Sequence, residues 1–72
     1  MYQVHNVTIY KDDKSLADKI IYAHQFDYDD IRESVQRNHD GNDTITYWIK
    51  PYIYEDFEVI VNEFKQNGIR VI

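Results

Sequence analysis

Cysteine is absent from the 72 residues, so neither a disulfide staple nor a thiolate zinc site can hold this chain together. A cysteine nucleophile goes with it. Ser15 and Ser34 sit in a charged turn and on a predicted helix, without the glycine-rich elbow that exposes a catalytic serine. Proline occurs once and glycine twice in a chain that is 43% hydrophobic and 15% aromatic, which excludes a disordered tail. No apolar run approaches the roughly 20 residues of a membrane span, and Met1 leads into no basic segment followed by an apolar stretch. The expectation is one folded domain, 1–72, in the cytoplasm, near the size at which a single core only just offsets chain entropy. Apolar residues must supply the stability, or a second copy must help.

Basic residues are scarce in one region. The formal charge is -5, yet from Met1 to Phe26 Asp12, Asp13 and Asp18 are balanced by Lys11, Lys14 and Lys19. From Asp27 to Glu63, ten acids (Asp27, Asp29, Asp30, Glu33, Asp40, Asp43, Glu55, Asp56, Glu58, Glu63) face only Arg32, Arg37 and Lys50, a net of -7, and Lys65 and Arg70 follow. One continuous stretch carries the whole excess.

Residues 2–10 are mostly β-branched or aromatic and predict a strand, closed by the charged turn 11–15. Residues 15–26 read two ways. Ser15 with Asp18 resembles a capping box before Leu16, Ile20 and Ala23, while Ile20, Tyr22, His24 and Phe26 alternate as in a strand. The strand, from Lys19 to Phe26, is favoured, because a hairpin with the first strand uses the polar turn and gives Phe26 a core-facing position. Asp27 reads as the N-cap of a helix to about Asn38, with Ile31 and Val35 one turn apart and Gly41 in the turn after it. Residues 44–49 alternate cleanly as a strand that Pro51 stops. Phe57, Ile60, Val61 and Phe64 form the stripe of a helix from about Tyr54 to Gln66, closed by Asn67 and Gly68, with residues 70–72 as a last strand. The predicted fold is α+β, a β-β-α-β-α-β domain with a mainly antiparallel sheet and two helices on one face. Phe26–Ile31 also echoes Tyr52–Phe57 at an offset of 26.

Asp27, Asp29, Asp30, Glu55 and Asp56 fall in predicted first helical turns, where free amides and the helix dipole favour carboxylates. That local chemistry covers half of the ten acids but gives no reason for Glu33, Asp40, Asp43, Glu58 and Glu63. A one-signed surface attracts a basic partner, and carboxylates along helices and loops can imitate a phosphate row. In size, acidity, tyrosine and isoleucine usage and lack of cysteine, the chain resembles small acidic bacteriophage proteins that disable host DNA-binding or replication proteins. That resemblance implies a host protein that binds nucleic acid as partner, with all ten acids as the contact surface and a bacterial cytoplasm as the setting. The rival expectation is an assembly module in which the acidity serves solubility.

Seven tyrosines and Trp48 remain. Aromatic sheets can stack bases, but a net of -7 opposes binding a polyanion directly. Tyr47, Trp48, Tyr52 and Tyr54 are instead expected in a protein interface, and a homodimer follows from an exposed aromatic near a sheet edge. Tyr47 and Trp48 must point to opposite faces of their strand. His5, His24 and His39 lack metal-site spacing, and residues 40–43 lack the length and closing Glu of a calcium loop. No cofactor, metal or catalytic constellation is expected.

Overall fold

A computed structural model describes residues 4–24, 31–50 and 54–72, with side chains from Asp56 onward in the last segment. Strand β1 (His5–Tyr10) passes through a 3-10 turn (Lys11–Asp13) into helix α1 (Lys14–Ala23). Strands β2 (Ile31–Gln36) and β3 (Thr44–Ile49) form a hairpin, and helix α2 (Tyr54–Gln66) follows. β3 lies in the middle of a three-stranded sheet, order β1-β3-β2, and is antiparallel to both neighbours. β1 and β2 therefore run parallel to each other, with α1 as the crossover. The described architecture is α+β. No helix among the described residues is long and apolar enough to cross a membrane.

The period of β3 sets the two faces. Ile45, Tyr47 and Ile49 are buried and pair with Ile9, Val7 and His5 of β1. Ala17, Ile20 and Ile21 of α1 and Ile60 and Phe64 of α2 meet them on that face, joined by Ile69. Both helices thus cover the same side, as α2 shows through the edge-on contact of Tyr47 with Phe64 and the stacking of His5 on Phe57 at 5.1 Å. The end of α2 has the hydrogen bonds of a Schellman motif, Ile69 N–H to Phe64 C=O at 2.9 Å and Gly68 N–H to Lys65 C=O at 3.1 Å. Gly68 takes φ 81° there, in the left-handed region where a side chain is disfavoured.

Two predicted elements are corrected. Residues 14–23 form a helix where the favoured reading was a strand from Lys19 to Phe26. Strand alternation would send Ile21 to solvent, whereas Ala17, Ile20 and Ile21 stand at i, i+3 and i+4 and make one buried stripe. The helix begins after Asp13, so Ser15 and Asp18 lie within it and form no capping box. Residues 31–36 form a strand where a helix over 27–38 was expected. Four-residue spacing puts Ile31 and Val35 together in a helix, but also on one side of a strand, and here they face Ile49 and Ile45 across the ladder. Gly41, also at φ 81°, consequently lies in a strand-to-strand loop rather than after a helix.

The last expected strand is reduced to a single antiparallel bridge, Ile9 with Val71, supported by the Ile72 N–H donating to the Thr8 carbonyl at 2.8 Å. Among the described residues the element order is thus β-α-β-β-α rather than β-β-α-β-α-β. The internal echo dissolves with it, since Ile31 and Val35 are in a strand and Phe57 and Val61 in a helix.

Candidate functional site: the two faces of the sheet

The helix-covered face holds a polar seam. The Tyr47 hydroxyl, on a residue only 1% exposed, donates to Asp18 Oδ1 at 2.7 Å, while Lys14 Nζ donates to Asp18 Oδ2 at 2.6 Å and stands 3.5 Å from Glu33 Oε1. Burial, reinforced by the bond to Asp18, pushes the Tyr47 hydroxyl well above the usual tyrosine range, so it serves as a donor. Lys14 is raised as well, first by its hydrogen bond to Asp18. Both oxygens of Asp18 are occupied, and the seam ties α1 to β3 and β2. Sequence reasoning missed this arrangement, although Lys14 and Asp18 at i, i+4 were a visible signal.

The opposite face is covered by neither described helix. Register places Trp48 at its centre strand with Asn6 on one side and Arg32 on the other. The next rows are Thr8, Thr46 and Ser34, then Tyr10, Thr44 and Gln36, with the Thr8 and Thr46 hydroxyls 2.8 Å apart. Arg70 lies over the Tyr10 ring at 4.7 Å and borders an open groove of about 640 Å³ between Tyr10 and the chain after α2. None of these nine strand residues is acidic. Trp48 is half-buried and Arg32 exposed.

The ten acids are not gathered onto one surface among the described residues. Asp27, Asp29 and Asp30 lie outside those residues, as does the side chain of Glu55. Glu33 sits on the helix side of β2 beside Lys14. Asp40 Oδ1 accepts from the Asn42 N–H at 3.0 Å and Asp43 Oδ1 from the Asn38 N–H at 3.3 Å, so both organise the β2–β3 loop. The Asp43 carbonyl further accepts from the Lys11 N–H at 2.9 Å. Glu63 Oε1 meets His24 Nε2 at 3.0 Å and joins α2 to the end of α1. Asp56 is half-buried and Glu58 exposed on α2. Glu33, Asp40, Asp43 and Glu63 thus have partners within the fold, whereas the helix-start reading of Asp27, Asp29 and Asp30 falls with the helix expected over 27–38.

The aromatic quartet divides likewise. Tyr47 belongs to the core and offers no outer surface, Trp48 stands on the face that neither described helix covers, and Tyr52 and the Tyr54 side chain lie outside the described residues. His5 stacks on Phe57, His24 meets Glu63 and His39 is exposed, and no three or more His, Cys, Asp or Glu side chains among the described residues are grouped to hold a metal. No family model, curated protein or solved structure matches the chain.

Proposed function

We propose that this chain is a non-catalytic protein-interaction module whose docking surface is the uncovered sheet face, with Trp48 as its anchor. The observation that carries the reading is Trp48 on the central strand, flanked by Asn6 and Arg32 on a face whose described strand residues bring hydroxyls and amides but no carboxylate. A solvated antiparallel sheet needs only the polar residues. Tryptophan, tyrosine and arginine are the residue types enriched where protein interfaces concentrate binding energy. A polypeptide suits this face better than a nucleic acid, since the chain as a whole carries -5.

The competing reading makes the chain an acidic inhibitor that occupies the nucleic-acid site of a basic host protein. Its support is Glu58, exposed on α2 beside Asp56. Affinity capture of proteins from a bacterial lysate separates the two. The sheet-face reading expects capture of a defined partner to be lost with Trp48→Ala, to survive Asp56→Lys with Glu58→Lys, and to persist at about 0.5 M salt, where exposed charge pairs are screened. Loss with the charge reversals and in salt, with Trp48→Ala still binding, sinks it in favour of the inhibitor.

A further inference from the structure

We propose that the chain self-associates through the outer edge of β2, pairing it antiparallel with β2 of a second copy in a two-fold register centred on Val35. The proposal is independent of the role assigned to Trp48.

The two edges of the sheet are finished differently. β1 has its outer side partly closed by the bridge between Ile9 and Val71 and by the bond from Ile72 to Thr8. β2 pairs only with β3 among the described residues, and it carries neither a proline nor a bulge along six residues in unbroken register. Such an edge is a template for another strand. Val35 is 44% exposed although its side chain lies on the helix side of the sheet, in line with the buried Ile45 and Ile9. A second Val35 set against it would extend that apolar row across the new junction.

Charge selects the register. Side chains alternate faces, so a two-fold pairing that keeps both helix layers on one side must be centred on a residue rather than between two. Centring on Glu33 sets two carboxylates directly opposite each other, and centring on Ser34 sets Glu33 against Val35; like charges directly opposite are destabilising. Centring on Val35 places Glu33 opposite Arg37 of the second copy, twice by symmetry, with Ser34 opposite Gln36. An inward-side charge on an edge strand ordinarily blocks pairing. Of the registers centred on Glu33, Ser34 and Val35, only the last sets Glu33 opposite a basic residue, Arg37. Arg37 is exposed and directly follows β2, and Glu33, 40% exposed at its side chain, keeps room for a second cation beside Lys14.

Sedimentation velocity from micromolar to millimolar concentration, with thermal melting to verify folding, tests the pairing. The intact chain should dimerise with concentration. Glu33→Arg alone and Arg37→Glu alone should each weaken dimerisation by about tenfold or more, as expected for replacing two cross-strand ion pairs with like-charge pairs. An equimolar mixture of the two folded variants should associate more tightly than either does by itself, because each supplies the charge the other has lost. A monomer at every concentration overturns the proposal, as does a dimer indifferent to both substitutions or a mixture no tighter than its components. Trp48→Ala should leave the dimer intact, so failure of the docking reading and failure of the edge pairing are separately visible.

Discussion

The two faces of one sheet differ by a single-residue shift in parity and by almost everything else. On the helix side, β1 and β3 place Val7, Ile9, Ile45, Tyr47 and Ile49, all at most 4% exposed. On the other side the same strands place Asn6, Thr8, Tyr10, Thr44, Thr46 and Trp48, none of them fully buried. The first set has the chemistry of a core that must hold a small domain together. The second satisfies the backbone and keeps β propensity through its threonines, and it holds Trp48, half-buried, on the side that neither described helix covers. Stability resides on the first face and, in our reading, recognition on the second.

The largest expected break in this comparison comes from the helix side. Phe64 is fully buried and meets Tyr47 edge-on, so Phe64→Ala should cost about 3–5 kcal/mol. A domain of this length has roughly 4–11 kcal/mol in total. Urea unfolding should therefore show the variant largely unfolded or close to it, while Thr46→Ala on the opposite face stays within about 1 kcal/mol of the parent. Equal losses from the two would remove the distinction between the faces.

Next in size is Tyr47→Phe, which leaves Asp18 without its hydroxyl donor and should cost about 1–3 kcal/mol near neutral pH. The variant also carries a pH signature. The Tyr47 hydroxyl is held above its ordinary value near 10, so below that pH both folded and unfolded chains keep the proton. Above it the unfolded chain loses the proton first. Stability should then fall with rising pH by up to about 1.4 kcal/mol per unit from this group, and Tyr47→Phe should lack that share of the slope. Parallel slopes in parent and variant from pH 9 to 11.5 would refute the assignment.

Gly68→Ala comes third. At φ 81° nothing lies within 4 Å of the position a β-carbon would take, so the cost is conformational strain alone, about 1 kcal/mol in the melting profile. A larger loss would show that the Schellman turn also holds Ile69 in the core.

How much of this could be read from the residues depends on whether a spacing fits one period or two. The alternation of Thr44–Ile49 suits only a strand, and Phe57, Ile60, Val61 and Phe64 suit only a helix, and both elements stand where expected. The Gly68 cap was legible for a related reason: a glycine just after a helical stripe commonly closes a helix that way. Ile31 and Val35 satisfy both periods, and what decided between them was the open edge of β3, a fact about the rest of the chain. The site was half legible. Parity alone separated Tyr47 from Trp48, but the bonds of Glu63 to His24, across 39 positions, and of Asp18 to Tyr47, across 29, required the fold. The acidic stretch looked one-sided in sequence because sequence does not show that loops and helices send its members to different places.

The smallest expected change in stability is the most telling for function. Trp48→Thr replaces the only large aromatic of the central strand's outer face with a β-branched residue that matches Thr44 and Thr46 along the same strand. Trp48 is half-buried, so urea unfolding should shift by about 0.5–1 kcal/mol, above the usual range for a surface position and well below that for a core truncation. The fluorescence of the single tryptophan should, in the parent, respond to partner binding. A loss of 2 kcal/mol or more would mean that Trp48 is buried by the fold itself, and the surface assigned to recognition would then be a second, smaller core. A near-silent substitution that abolishes capture of the partner would instead separate folding from binding at one residue, on the face that parity had already set apart.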